Sequence, residues 1–91
     1  MKTFRCKDTQ ALFEGRTPRR VKAFSAVAER KLQMLDSSAS LEDLKRPPGN
    51  RLESLKGDRK GQLSIRVNDQ WRVCFRFEAG EALDVEIIDY H

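Results

Sequence analysis

The apolar residues of this chain keep one period up to Pro47-Pro48-Gly49-Asn50 and another after it. Before the break, Val21, Phe24, Val27, Ala28, Leu32 and Leu35 recur at helical spacing, with Arg30, Lys31 and Gln33 among the outward positions. After it the period is two. Leu63, Ile65 and Val67 alternate with Ser64, Arg66 and Asn68, and Trp71, Val73, Phe75 and Phe77 with Arg72, Cys74 and Arg76. Leu83, Val85 and Ile87 alternate with Asp84, Glu86 and Ile88. A helix with one apolar stripe and a sheet with one apolar face must cover each other. The pattern therefore predicts an α+β sandwich of two layers.

The shorter elements fill in around this frame. Thr3-Phe4-Arg5-Cys6 reads as an opening strand, and Asp8 or Thr9 as the cap of a brief helix through Phe13, ended by Gly15 and Pro18. The long helix starts at Arg19 or Arg20 and stops near Asp36-Ser37-Ser38. Ser40 can cap one more turn through Leu44, with Asp43 in a capping-box-like position. Arg51 to Lys56 adds a first strand to the antiparallel meander. There is no internal repeat, so the 91 residues form one domain, 1–91.

Alternation also sets the register, because a one-residue slip would turn every apolar side chain outward. With odd positions on the core face, Val67 opposes Trp71, Ile65 opposes Val73 and Arg66 opposes Arg72. A hairpin around Gly80 then pairs Phe75 with Val85, Val73 with Ile87 and Arg76 with Asp84. Ile88 falls beside Arg72, and Tyr90 one step further along the same face. Two arginines directly opposed on a strand pair repel. They either splay into water or share an anionic ligand, a polynucleotide backbone being the first candidate.

Charge and cysteine usage bound the function more loosely. The net charge of +4 is unevenly spread: Lys45 to Arg76 holds nine Lys and Arg against three acids, and Phe77 to His91 holds five acids and no Lys or Arg. Such a basic segment is either a solvated surface or a nucleic-acid footprint. Cys6 and Cys74 fit no zinc spacing, with one histidine to complement them, and read as reduced thiols in or beside the core. No metal or cofactor is expected. No apolar run approaches a bilayer span, and the first residues lack the apolar core of a signal peptide, so the expected location is cytoplasmic, away from membranes. The one tyrosine and the one histidine follow an aspartate as Asp89-Tyr90-His91. An acid, a phenol and an imidazole at the end of an anchored strand form a set for proton transfer, unless the terminal imidazole is a solvated passenger.

Several of these segments together resemble the HigB toxins of the RelE/ParE superfamily of bacterial toxin–antitoxin systems. They are Leu55-Lys56-Gly57-Asp58-Arg59-Lys60-Gly61, Ser64-Ile65-Arg66-Val67-Asn68, Trp71-Arg72-Val73 and the closing Asp89-Tyr90-His91. Phe4-Arg5-Cys6 and Pro48-Gly49-Asn50-Arg51-Leu52 fit the same group. The resemblance implies a two-layer RelE/ParE-like fold, an N-terminal strand and two helices packed on an antiparallel sheet. It implies a ribosome-dependent endoribonuclease, an mRNA interferase that cuts translated mRNA in the A site of the 70S ribosome. The reaction is metal-independent: the ribose 2′-oxygen attacks the adjacent phosphate and the 5′-oxygen leaves. Those roles fall by resemblance on Lys56, Arg72, Asp89, Tyr90 and His91. Arg59, Lys60 and Arg66, in the basic segment, are the candidates for docking ribosome and RNA phosphates without chemistry. Some HigB toxins carry a histidine where this chain has Glu53, which either acts as the base or pairs with an arginine.

The implied partner is a HigA-like helix-turn-helix antitoxin, with operator DNA reached only through it. Two other classes are compatible with the sequence. One is a non-catalytic gyrase inhibitor of the ParE kind, which does not call for the Lys, Arg and terminal His set. The other is a plain RNA- or ribosome-binding module whose arginines only contact phosphate.

Overall fold

The computed structural model describes residues 3–89, so the expectations for Tyr90 and His91 lie outside the described residues. Strands β1 (Glu53–Ser54), β2 (Leu63–Arg66), β3 (Trp71–Glu78) and β4 (Glu81–Asp89) form one antiparallel sheet in chain order. Helices α1 (Lys7–Phe13) and α2 (Ser25–Ser37) pack on it, and α3 (Leu41–Lys45) follows as a short turn of helix. Ala28, Leu32 and Leu35 of α2 share the core with Ile65, Val73, Phe75, Val85 and Ile87 of the sheet. Each of these side chains except Ala28 contributes about 1.5–3 kcal/mol on burial. The α+β sandwich follows the change of period.

Several boundaries differ from the expectation, each for a local reason. The long helix opens as a 3₁₀ turn over Arg19–Phe24, and regular α-helix starts at Ser25. Phe24 leaves helical dihedrals (φ −130°, ψ 23°), and its ring stacks on Trp71 with centroids 5.0 Å apart. The opening strand shrinks to a single parallel bridge between Phe4 and Val85. Cys6, not Asp8 or Thr9, occupies the N-cap of α1. Thr9 is needed elsewhere. β4 is an edge strand, whose outward backbone groups need partners. The Thr9 hydroxyl accepts from Ile87 N–H at 2.9 Å, and Arg20 Nη2 donates to Ile87 O at 3.0 Å. The expected strand over 51–56 is clipped to Glu53–Ser54 by the 3₁₀ turns Pro48–Asn50 and Gly57–Arg59 on either side.

Register matches the alternation argument through most of the sheet. Ile65 opposes Val73, Arg66 opposes Arg72, Val73 opposes Ile87 and Arg72 opposes Ile88. Nearer the β3–β4 turn it shifts. Ala79 and Gly80 both have positive φ (52° and 78°), as a two-residue type I′ turn requires, so Glu78 pairs with Glu81 and Arg76 with Leu83. That turn gives a register one residue out of step with the core alternation. A bulge between Cys74 and Arg76, with Asp84 at φ 53°, absorbs the extra residue. The expected Phe75–Val85 and Arg76–Asp84 strand pairs are therefore corrected. Ala82 takes the core position near the turn, while Arg76 Nη1 still reaches Asp84 at 3.7 Å.

Candidate active site on the outer sheet face

The even-numbered residues of β2 and β3 face away from α2, yet three of them are buried: Ser64, Arg72 and Cys74. The segment from Leu55 to Gln62 explains this by turning back over the sheet. Leu55 and Gln62 are themselves buried, and Leu55 N–H donates to Gln62 O at 2.9 Å. Arg59 fixes this segment to β4, donating from Nη1 to Glu86 Oε1 at 2.8 Å and to Gln62 Oε1 at 3.0 Å. Glu86 stands opposite Cys74, so the clamp closes over the thiol. Burial pushes Cys74 up to about 11, with Glu86 adding to the rise and Arg59 and Arg72 opposing it. It is an inert core thiol.

Arg72 lies at the next step of the same face. Its Nε donates to Ser64 Oγ at 2.7 Å, and its Nη2 to Arg51 O at 2.5 Å and Ser64 O at 3.3 Å. Its Nη1 stands 3.6 Å from Glu53 Oε1. The side chain is only 8% exposed. Such a guanidinium is held along one edge by fixed acceptors, with a carboxylate beside its remaining amino group. The opposed arginines thus neither splay into water nor converge. Arg66 turns to an ion pair with Asp69, and Arg72 turns to Ser64, Arg51 and Glu53. Glu53 stands beside an arginine in the resting protein, as one of its two expected roles requires.

The other expected residues are distributed unevenly. Lys56 is exposed and leads into the turn Gly57–Arg59, three residues after Glu53, and Lys60 is exposed at that turn's end. Asp89 is the last residue of β4 and pairs in register with Trp71, so alternation sets it on the α2 side, opposite to Arg72. It accepts from Gln70 Nε2 at 2.9 Å. Arg20 covers the other flank of Trp71, 5.2 Å from the ring centroid. Cys6, beside Arg20, is raised by burial, but N–H groups of Thr9 and Asp8, the Thr9 hydroxyl and the Arg20 charge more than offset this, and the thiol is held below its ordinary value.

The structure therefore gathers Arg72, Glu53 and Arg66 on one face and extends the Lys56–Lys60 loop over it. Ser64 and the Arg51 carbonyl are partners of Arg72 that the sequence pattern does not reveal. Ser64 looked like an ordinary outward polar residue, and no side-chain pattern reports a backbone carbonyl.

A four-stranded meander under one long helix, with a clamped arginine on its outer face, places the chain among small toxins of the RelE/ParE fold. The YoeB/ParE toxin from Agrobacterium tumefaciens shares that fold at TM-score 0.52, over 100% of this chain and 99% of its own, with 21% identity. The chain belongs to the HigB-like toxins, RelE-like toxins of type II toxin–antitoxin systems, whose family profile matches residues 2–91. Toxin HigB-1 of Vibrio cholerae is 51% identical over 55 residues, which is 60% of this chain and 58% of that protein. Endoribonuclease HigB of Proteus vulgaris is 36% identical over 93 residues, covering 100% of this chain and 99% of its own length. Membership in a type II system brings an antitoxin as partner. Among the described residues no helix is long and apolar enough to cross a membrane.

Proposed function

We propose that the chain is an endoribonuclease that enters the A site of a translating 70S ribosome and cuts mRNA there. The Proteus vulgaris relative is named an endoribonuclease and aligns over the whole chain. The observation that carries the reading is Arg72, a buried guanidinium held by Ser64 and Arg51 beside Glu53. A fixed fork with a permanent charge suits the non-bridging oxygens of a phosphorane.

The reaction needs no resident metal in this reading. The 2′-oxygen forms a bond to phosphorus as the bond from phosphorus to the 5′-oxygen breaks, leaving a 2′,3′-cyclic phosphate and a 5′-hydroxyl. Substrate phosphate replaces Glu53 at Arg72, and the released carboxylate accepts the 2′-proton. Lys56 adds a second positive charge at the phosphate. His91 gives a proton to the departing 5′-oxygen, with Tyr90 assisting the same step, since an imidazole titrates in the range such an acid needs. Asp89, on the far face from Arg72, serves to anchor the strand end through Gln70. Lys60 and Arg66 dock ribosomal and messenger phosphates. Arg59, held by Glu86, keeps the loop in place. Between bursts of activity a helix-turn-helix antitoxin covers the toxin in the cytoplasm and carries the pair to operator DNA.

The test uses purified protein, 70S ribosomes programmed with a defined mRNA, and primer extension. New 5′ ends should arise in the A-site codon within the time of a single turnover. Equal cutting of the same mRNA without ribosomes contradicts the proposal.

A further inference from the structure

Asn50 is a fully buried polar residue that the chemistry above does not use. Its side chain is engaged at both ends. Oδ1 accepts from Lys31 Nζ at 2.5 Å, and Nδ2 donates to Leu44 O at 3.1 Å and lies 3.1 Å from Met34 Sδ. Its backbone N–H donates to Pro47 O at 3.0 Å. One planar amide thus ties the turn Pro48–Asn50 to α2, through Lys31 and Met34, and to α3, through Leu44.

The residue that follows shows what the anchor is for. Arg51 sits in the left-handed region (φ 44°, ψ 57°), which is costly for any side chain bearing a Cβ. Such an outlier persists only where its surroundings impose it, and it points to a function. Here the strained residue's carbonyl is the acceptor, at 2.5 Å, for Arg72 Nη2. From these contacts we infer that Asn50 is a positioning residue. It pins the turn to the helical layer, holds Arg51 left-handed, and so fixes the Arg72 guanidinium on the opposite side of the sheet from α2. An asparagine meets the need because it accepts from a lysine and donates to a carbonyl at once. Aspartate cannot donate there, and alanine does neither.

The inference rests on Arg72 acting on the scissile phosphate, and the test separates the two. Asn50→Asp keeps the acceptor for Lys31 and loses the donor to Leu44. In single-turnover cleavage at saturating ribosome it should slow the rate by about tenfold or more, with ribosome affinity unchanged. In the Arg72→Lys background, which has already lost the fork, the same substitution should add nothing further. A merely structural role would give the full loss in both backgrounds, and that result overturns the inference. An unchanged rate in the Asn50→Asp protein overturns it too. If Asn50→Asp does not fold, Lys31→Met removes the other half of the anchor and is read the same way. Guanidinium NMR of the full chain gives a readout independent of cleavage. Rotation about the Arg72 Cζ–Nη bonds should be slow in the parent and faster in the variant. If the parent cuts no mRNA while rotation responds as expected, the nuclease reading fails and the positioning stands. Rotation that does not respond sinks the positioning whatever the protein cleaves.

Discussion

Replacing Arg72 by lysine keeps the positive charge and removes the fork. Three donations vanish from fixed positions: Nε to Ser64 Oγ, and Nη2 to the carbonyls of Arg51 and Ser64. A hydrogen bond from a charged donor contributes about 1.5–3 kcal/mol net. The lysine ammonium can remake one of these contacts, so two are lost net and folding stability should fall by about 3–6 kcal/mol. From an ordinary stability of about 5–15 kcal/mol, the middle and upper part of the range stays folded at 25 °C after that loss, and urea unfolding of the variant shows where this protein lies. The effect on catalysis has a different size. Losing a preorganised donor to developing charge lowers a rate by about a hundredfold to a thousandfold. Urea unfolding and single-turnover cleavage at saturating ribosome measure the two separately. A variant that is folded under the assay conditions, has a clearly lower urea midpoint and cuts a hundredfold slower supports this role for Arg72. A variant that loses stability yet cuts within a few-fold of the parent rate would show that Arg72 is a structural arginine only.

Other consequences follow from single contacts. Ribosome affinity should fall linearly on a log–log plot against salt, and Lys60→Ala should flatten the slope by about 0.7–0.9 if it meets one phosphate; Arg59→Ala should leave the slope alone and lower the unfolding midpoint, because its partner is Glu86. A thiol reagent at pH 8 should label Cys6 promptly and Cys74 only on unfolding. A thiol pushed up to about 11 has roughly one thiolate in a thousand at that pH, and labelling at equal rates would contradict the assignment. Thr9→Val should cost about 1–3 kcal/mol in urea unfolding, since it strands the buried Ile87 N–H; an unchanged midpoint would mean that water replaces the hydroxyl.

What the sequence made legible was what repeats along it. The alternation of Leu63 to Val67 against Trp71 to Phe77 was enough to oppose Arg66 to Arg72, because the core allows no slip there. The same reasoning missed the bulge at Asp84, since a tight Ala79-Gly80 turn and the core alternation demand registers of different parity. Position 9 read as a cap by composition, and the edge of β4 claimed its hydroxyl instead. At the site, Arg72 and Glu53 were named from the chain, but their pairing depends on Ser64 and on a carbonyl at Arg51. Asn50 looked like a turn residue after two prolines, and its contacts with Lys31 and Leu44 join segments that no local pattern links.

The central claim is that this toxin cuts mRNA as it is translated, with Arg72 at the phosphate. The most direct measurement is transcriptome-wide mapping of 5′-hydroxyl RNA ends after brief induction in bacteria, comparing the parent with Arg72→Lys. New 5′-hydroxyl ends should be confined to translated regions, lost when initiation is blocked and nearly absent with the lysine variant. Growth arrest by the parent with no such ends, or ends equally dense in untranslated RNA, would contradict that claim.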